Sequence, residues 1–273
     1  MIFQKMGRLK YHCRMNDDLV LYEVIDRVGY ITLNRPEKRN ALSFEFVSEI
    51  KAKLKIAQSD NTCKVIVIKA NGEAFCSGAD LASLQKLQSN SYEENIADSK
   101  HLAELYQQIY LSSKVVISRV EGAAFAGGCG LATICDFSFA TTMAKFAYTE
   151  VKIGFIPAVV MVFLLRQVGE KVAKQILLTG DTFDANRALF YHLISAVYDP
   201  IMIEEEVHNF AVRLCKQASG QSLTMTKLMM AKVPDLTLNE ALDFAAKMNA
   251  QARASTDCKK GITAFLNKEK LSW

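Results

Sequence analysis

Two short loops rich in small residues each connect a strand-like apolar run to a helix, and both are suited to binding a ligand through the backbone. One is Gly122–Gly130, which holds four of the chain's 13 glycines. The other is Gly72–Asp80, which follows the apolar run Val65–Ala70. A backbone without Cβ atoms can approach a ligand closely, and the N–H groups at a helix start are free to donate. Two such loops aimed at one point would form an oxyanion hole, in which two N–H groups stabilise a developing negative charge.

Neither loop is a nucleotide-binding fingerprint. The order G-x-G-x-x-G is absent and no GK[ST] follows the glycines, which excludes the dinucleotide and P-loop signatures. For Gly122–Gly130, a tight turn with close helix–strand packing explains the sequence equally well. Asp80 stands at a helix start, where an aspartate is more often an N-cap than a catalytic group.

The apolar patterns predict the elements that must position these loops. A hairpin is expected over 19–34, with Asp26–Gly29 as its turn, and Val65–Ala70 and Val115–Val120 are typical of strands buried on both faces. Further predicted strands are 136–141 and 145–149, and the predicted helices are 40–57, 79–88, 92–112 and 129–135. After Pro157 the chain is almost wholly helical, with predicted helices at 158–168, 170–179, 184–192, 203–219, 222–233 and 237–255. The simplest architecture is an α/β core followed by a helical subdomain.

Four motifs occur together, in an order and at intervals that resemble one known family. They are Asn34–Leu42 (NRPEKRNAL), Ala74–Leu81 (AFCSGADL), Gly122–Asp136 and Phe146–Pro157. The family is the crotonase, or enoyl-CoA hydratase/isomerase, superfamily, and the resemblance runs from about Leu19 to the C-terminus. The four motifs in register are far more specific than any one of them alone.

The resemblance implies an α/β fold of the ClpP/crotonase-like type, a spiral of ββα repeats with a helical C-terminal trimerisation region. We divide the chain accordingly into a basic N-terminal extension (1–14), a crotonase core (15–200) and a helical C-terminal subdomain (201–273). Members of the family form homotrimers, often paired into hexamers, so self-association to a trimer or to a dimer of trimers is expected.

The resemblance also implies an acyl-CoA thioester substrate of fatty-acid metabolism and no cofactor, because CoA is part of the substrate. The family's oxyanion donors correspond to the backbone N–H groups of Ala79 and Gly127, and a catalytic glutamate corresponds to Glu150. Two preorganised donors lower the barrier to a thioester enolate, and a carboxylate can then move protons. The simpler interpretation of Glu150 is a surface charge beside Lys152.

One departure from the family leaves the reaction open. The hydratases use a second glutamate, and Gly130 occupies that position here. A single glutamate is typical of Δ3,Δ2-enoyl-CoA isomerases, decarboxylases and some branched or aromatic enoyl-CoA hydratases. The first hypothesis is therefore an enoyl-CoA hydratase (a lyase) with one glutamate, with the isomerase as runner-up. An acyl-CoA decarboxylase and a non-catalytic acyl-CoA-binding protein are the further alternatives.

The sequence around Pro157 bears on the acyl group. Thr149–Ala158 resembles bacterial sequences labelled methylglutaconyl-CoA hydratase-like. The next residues, Ala158–Phe163, are bulkier than the glycine-rich stretch of many hydratases, so a narrower or reshaped acyl pocket is expected.

Further residues are predicted to contact the substrate. Tyr148 lies two residues before Glu150, which places both on one face of a strand, and the alternative is a packed tyrosine. The other substrate-binding residues that the resemblance implies are Gly130, Glu73, Ala74, Phe75, Cys76, Arg35, Lys38, Phe265 and Lys268. In the family, the backbone at 73–76 meets adenine, the basic residues meet phosphates, and the last two reach the CoA of a neighbouring subunit. For the cations, a solvated surface is the simpler explanation.

Charge and cysteine usage narrow the class of protein. The chain has 33 basic and 29 acidic residues, and Lys5, Arg8, Lys10 and Arg14 carry the whole net charge of +4. Because the rest of the chain has no net charge, it lacks the excess of basic residues typical of nucleic-acid-binding proteins. No apolar run is long enough to span a membrane. Three alternatives apply to 1–14: an upstream start with initiation at Met15, a disordered arm, or an organelle-targeting segment. The seven cysteines without C-x-x-C and four scattered histidines predict free thiols, a cytoplasmic location and no metal site.

Overall fold

The computed structural model describes residues 18–273, so the predicted extension 1–14 and Met15 lie outside the described residues. The strands are β1 (Val20–Ile25), β2 (Val28–Leu33), β3 (Val65–Ala70), β4 (Ala74–Cys76), β5 (Val115–Val120), β6 (Ala123–Phe125), β7 (Phe137–Thr141), β8 (Lys145–Ala147), β9 (Phe183–Asp184) and β10 (Ala196–Tyr198). The helices are α1 (Phe44–Ser59), α2 (Leu81–Leu87), α3 (Tyr92–Tyr110), α4 (Gly127–Thr133), α5 (Ala158–Thr179), α6 (Ala185–Phe190), α7 (Ile203–Gln217), α8 (Gly220–Lys232), α9 (Leu238–Ala254) and α10 (Thr256–Leu266). Short 3-10 helices lie at Pro36–Lys38, Glu150–Ile153 and Val233–Asp235.

The strands form two sheets, and each of three ββα repeats contributes one strand to each sheet. The larger sheet has the order β1-β2-β3-β5-β7-β10, parallel except for the β1–β2 hairpin. The smaller sheet has the order β4-β6-β8-β9, parallel except for β8–β9. In β3–β4–α2, β5–β6–α4 and β7–β8–α5, the first strand enters the large sheet and the second enters the small one. Three loops at the strand–helix junctions are thereby brought to one side of the fold.

The small sheet corrects the sequence interpretation of the two glycine loops. Residues 72–80 and 122–130 were predicted as loops, yet each contains a three-residue strand, β4 or β6. Three residues are too few to show an alternating pattern, and these strands are fixed by pairing with each other. The predicted strand 145–149 is also shorter, because β8 ends at Ala147.

Both faces of the large sheet are buried, as the apolar run of β3 predicted. Ile66 and Ile68 face the main core under α1 and α3–α5, whereas Val65 and Val67 face a second apolar cluster. The second cluster is closed by α7, which contributes Ile203, Val207, Ala211 and Cys215. A division at residue 200 would therefore separate α7 from the sheet face that it covers.

The helices after Pro157 follow the predicted order. The two predicted helices 158–168 and 170–179 are the two halves of α5, which is interrupted at Gly169 with a φ of 71°. The predicted capping box at Thr237 and Glu240 is confirmed at the start of α9. Helices α9 and α10 pack mainly against α8 and against each other. Among residues 18–273, no helix has both the length and the apolar character that crossing a bilayer demands.

Candidate active site

A cavity of about 240 Å³ lies where the strand–helix junctions meet α1, α3 and α5. Its wall includes all three predicted catalytic positions, Ala79, Gly127 and Glu150. Most other lining residues are apolar, among them Leu102 and Val160. Three larger surface grooves of about 410, 810 and 830 Å³ contain none of the three. The smaller cavity is therefore the candidate active site.

The N–H group of Ala79 is directed by an isolated parallel β-bridge to Leu42. The Leu42 N–H donates to the Gly78 carbonyl (2.7 Å), and the Asp80 N–H donates to the Leu42 carbonyl (3.1 Å). In a parallel pair, the residue between two such bonds turns its own N–H to the opposite side. The Ala79 N–H accordingly has no acceptor within residues 18–273, and Ala79 lines the cavity.

The N–H group of Gly127 is free because Gly127 is the first residue of α4. The partial positive charge of a helix N-terminus adds to its donor strength. The preceding residue, Ala126, has a φ of 49° and a ψ of −125°, a conformation that L-residues rarely adopt. Its own N–H donates to the Ala147 carbonyl of β8 at 2.7 Å. The strained turn is thus anchored to the small sheet, as is usual for strain at a functional site.

Two glycines bring the loops into direct contact. Gly78 has a φ of 91°, and a Cβ there would lie 2.9 Å from both the Ala126 Cβ and the Phe125 carbonyl oxygen. A Cβ on Gly128 would lie 2.2 Å from the Cys76 carbonyl oxygen. The two interpretations of the glycine cluster therefore apply to different residues. Gly128 permits close packing of helix against strand, while Gly127 presents its N–H to the cavity.

An ion pair holds the first loop from outside. Arg35 Nη1 donates to Asp80 Oδ2 (2.9 Å) and to the Ala41 carbonyl (3.1 Å). Asp80 Oδ1 accepts from the Ala82 N–H, which confirms Asp80 as the N-cap of α2. Burial raises the pKa of Asp80, but the Ala82 N–H and the Arg35 charge outweigh it and hold that pKa below its usual range. The Arg35 guanidinium, predicted to meet phosphates, is thus engaged in the loop itself, while Lys38 is exposed.

Glu150 is a buried carboxyl and not a surface charge. It is 9% exposed, at the start of the 3-10 helix Glu150–Ile153, and its Oε2 has no hydrogen-bond partner within residues 18–273. The adjacent Lys152 pairs with Asp181 instead (3.4 Å). Burial raises the pKa of Glu150, because the charged form is less well solvated there. A carboxyl with a raised pKa is suited to giving and taking protons near neutral pH.

The prediction for Tyr148 rested on a strand that does not extend that far. Tyr148 follows β8, is 1% exposed and does not line the cavity. Its hydroxyl lies 3.0 Å from Thr133 Oγ1. The alternative interpretation, a packed tyrosine, describes its position.

Gly130 is also withdrawn from the cavity. A Cβ on Gly130 would lie 2.4 Å from Val160 Cγ1 and 3.2 Å from the Tyr106 hydroxyl. The space that a side chain at this position would need is thus occupied by α5 and α3. No spacing rule connects residue 130 to residues 106 and 160, so sequence reasoning missed Tyr106, and it included Val160 only as part of the bulky stretch 158–163 expected to reshape the acyl pocket.

The residues predicted to hold CoA lie apart from the cavity. Ala74, Phe75 and Cys76 form β4 with buried side chains, so only their backbone remains for the predicted adenine contact. Glu73 is exposed. Phe265 is 82% exposed at the end of α10, and Lys268 is exposed just beyond it. Within one chain, Ala79, Gly127 and Glu150 lie together at the cavity, and the predicted CoA-binding residues lie elsewhere.

Comparison with known proteins decides the family. The family model described as enoyl-CoA hydratase/isomerase matches residues 23–273. The chain belongs to the enoyl-CoA hydratase/isomerase family. The fold is accordingly the crotonase fold, and the resemblance noted from the four motifs is confirmed.

Individual relatives extend this comparison over nearly the whole chain. A candidate enoyl-CoA hydratase of Thermus thermophilus is 38% identical over 241 residues, 88% of this chain and 95% of that protein. The crotonyl-CoA hydratase of Syntrophomonas wolfei is 31% identical, over 93% of this chain and 97% of its own length. The crystal structure of a candidate enoyl-CoA hydratase/isomerase (crotonase) from Legionella pneumophila has a TM-score of 0.84 at 36% identity, covering 92% of this chain and 97% of that one. This member of the enoyl-CoA hydratase/isomerase family thus has relatives of its own length.

Proposed function

We propose that the chain converts enoyl-CoA thioesters through an enolate whose oxygen accepts hydrogen bonds from the Ala79 and Gly127 N–H groups. Glu150 then gives and takes the protons. The observation that carries the proposal is the convergence, within residues 18–273, of two N–H groups without acceptors and one buried carboxyl whose Oε2 has no partner on a single, mostly apolar cavity. A thioester enolate needs the same three groups.

Two reactions share this enolate, and each has support. Hydration is supported by the names of the Thermus thermophilus and Syntrophomonas wolfei relatives. Isomerisation of a 3-enoyl to a 2-enoyl thioester is supported by the packing of Val160 on Gly130, which leaves Glu150 as the one carboxylate of the pair. A methylglutaconyl-type acyl group and decarboxylation stay predictions from the sequence.

CoA binding and assembly are part of the same proposal. Helices α9 and α10 expose large apolar side chains, which suits the expected trimer or dimer of trimers. The exposed members are Leu238, Leu242, Ile262, Phe265 and Leu266. In such an assembly, Phe265 and Lys268 would reach the CoA of a neighbouring chain, whereas Lys38 and the β4 backbone would serve the chain's own CoA.

Replacement of the carboxyl is the direct test. In D2O, the protein is incubated with crotonyl-, 3-methylcrotonyl-, 3-methylglutaconyl- and trans-3-hexenoyl-CoA, and the products are resolved by chromatography and mass spectrometry. Because Glu150→Gln removes the proton carrier, turnover and deuterium exchange should fall by about 10²–10⁴-fold. Glu170→Gln, at an exposed glutamate, should leave both rates unchanged. Equal rates in wild type and Glu150→Gln would refute the proposal.

The pH profile supplies a second readout of the same test. Glu150 must be ionised to take a proton, and its pKa is raised by burial. The rate should therefore rise with pH through a pKa above that of an exposed glutamate, about 4.3. This acidic limb should be absent from any residual activity of Glu150→Gln.

A further inference from the structure

Val160 of α5 lies between the substrate cavity and a second, closed space. It lines the cavity together with Glu150, and it also lines a small internal gap behind Gly130. The gap is bounded on its other sides by Tyr106, Thr133 and Tyr148. The Val160 side chain, 5% exposed, is the wall between the two spaces.

The gap behind Val160 has polar groups in its wall, because the hydroxyls of Tyr106, Thr133 and Tyr148 lie there among apolar side chains. The Tyr106 hydroxyl donates to the Gly127 carbonyl at 2.6 Å. The Thr133 hydroxyl donates to the Cys129 carbonyl at 2.9 Å, so the Tyr148 hydroxyl is the donor to Thr133. Each tyrosine oxygen keeps a lone pair with which it can accept another hydrogen bond.

The gap is also close to the reacting carboxyl. Val160 lines both the gap that contains the Tyr106 hydroxyl and the cavity that Glu150 lines, so a single side chain separates this hydroxyl from the cavity of the carboxyl. A water molecule beside Glu150 would need two to four polar partners, and the two tyrosine oxygens with the carboxylate would supply them. The gap has no volume for a water molecule, because Val160 packs onto Gly130.

We infer that Val160 determines the reaction by excluding the water that hydration needs from the side of Glu150, which restricts the site to proton transfer within the substrate. This inference rests on the proposed function, since it concerns the fate of the same enolate. It selects isomerisation of 3-enoyl thioesters as the favoured reaction of the wild-type chain.

The two reactions differ in what Glu150 needs. In isomerisation, Glu150 takes a proton from C2, and the C–H electrons delocalise into a dienolate held at the thioester oxygen. The protonated Glu150 then returns a proton to C4, and the double bond moves from C3–C4 to C2–C3 with no other reactant. In hydration, water oxygen bonds to C3 while one water proton passes to Glu150, and the protonated Glu150 then delivers that proton to C2 of the enolate. Only hydration requires a water held beside the carboxyl.

The test compares two alanine variants of neighbouring valines on α5. Val160→Ala should join the gap to the cavity. Val159→Ala should also enlarge the cavity, but at a point that is not in contact with Gly130. For each protein, the hydration rate of crotonyl-CoA is divided by the isomerisation rate of trans-3-hexenoyl-CoA. The ratio should be low in wild type and in Val159→Ala, and Val160→Ala should raise it by about tenfold or more.

Each outcome has a distinct meaning. If wild type hydrates crotonyl-CoA at least as fast as it isomerises the 3-enoyl substrate, or if the ratio is the same in the two variants, Val160 does not exclude water and the inference fails. In either case a loss of activity in Glu150→Gln would still uphold the proposed function. Activity that survives Glu150→Gln would instead overturn the proposed function.

A second pair of variants keeps the test decisive if Val160→Ala is unstable. Val160→Thr preserves the volume of the side chain, so the ratio should stay at the wild-type value. Val160→Ser shortens the side chain, and the ratio should rise as in Val160→Ala. A rise in both would show that polarity and not volume matters, which contradicts the inference.

Discussion

The two loops that present the Ala79 and Gly127 N–H groups are held in place by different kinds of interaction. Around Gly127, backbone packs on backbone: Gly128 lies against the Cys76 carbonyl, and Ala126 adopts a strained turn bonded to β8. Around Ala79, a backbone β-bridge to Leu42 is supplemented by the Arg35–Asp80 ion pair, whose two side chains are 17% and 10% exposed.

This difference predicts how each half of the site responds to change. Packing of backbone on backbone leaves no room for one added atom, because neither partner can move without displacing a strand. An ion pair between partly exposed side chains contributes less and responds to pH and salt. The Gly127 side should therefore be intolerant of substitution, whereas the ion pair on the Ala79 side should tolerate substitution better.

The largest effect is expected at Gly128. Gly128→Ala places a methyl group 2.2 Å from the Cys76 carbonyl oxygen, so either α4 or β4 must shift. We expect a loss of about 3 kcal/mol in the free energy of unfolding, at the upper end of overpacking costs, and loss of most activity. Urea unfolding and turnover of 3-hexenoyl-CoA measure the two quantities.

Gly220→Ala is the matched control, because a Cβ there would meet only Lys64 Cε at an ordinary 3.5 Å. In the first turn of α8 it should leave stability unchanged or raise it by about 0.5 kcal/mol. If Gly128→Ala behaved like Gly220→Ala, the packing account of the Gly127 loop would be wrong.

An intermediate effect is expected at Tyr106. Tyr106→Phe removes the 2.6 Å hydrogen bond to the Gly127 carbonyl while keeping the ring that packs edge-on against Phe163. The loss should be about 1 kcal/mol of stability, with kcat reduced about fivefold, because the first turn of α4 is held less firmly. KM should change little, since Tyr106 does not line the cavity. A change in KM alone would contradict a positioning role, and Tyr110→Phe is the control.

The smallest effect is expected at Asp80. Asn is as good an N-cap as Asp, so Asp80→Asn removes the charge and keeps the cap, with a cost of about 1 kcal/mol or less at neutral pH. Because the folded-state pKa of Asp80 is lowered, its contribution is present above the ordinary pKa of about 3.9 and is lost as pH falls through the folded value. The stability difference between wild type and variant should therefore shrink in acid. Urea titrations from pH 7 to pH 3 measure it, and a difference that grows in acid would contradict this account.

Sequence reasoning was most successful where a pattern repeats locally. The apolar run of β3 predicted a strand buried on both faces, and this is observed. The helical spacing of apolar residues in α1 predicted burial on one face, which is also observed. The strand–glycine–helix junctions indicated that some backbone N–H groups would be free, because a helix start leaves N–H groups without intrahelical acceptors. The choice of Ala79 and Gly127 as the donors came from the resemblance to the family.

The sequence was a poor guide where contacts join distant segments. Val160 and Gly130 are separated by 30 positions and touch only because α5 crosses α4, so neither residue type announces the contact. Tyr148 was misplaced by a different mechanism. Its segment reads as a strand, but β8 has only the short β6 and β9 to pair with and ends one residue earlier.

The position of α7 has a consequence for how the chain folds during synthesis. Strands β2 and β3 are complete by residue 70, yet among the described residues the sheet face formed by Val28, Val65 and Val67 is covered mainly by α7, from residue 203 onward. Until that helix emerges from the ribosome, a parallel sheet presents an uncovered β-branched surface to its surroundings. Such a surface is prone to association with other chains, so the yield of native protein should depend on how the nascent chain is protected over that interval.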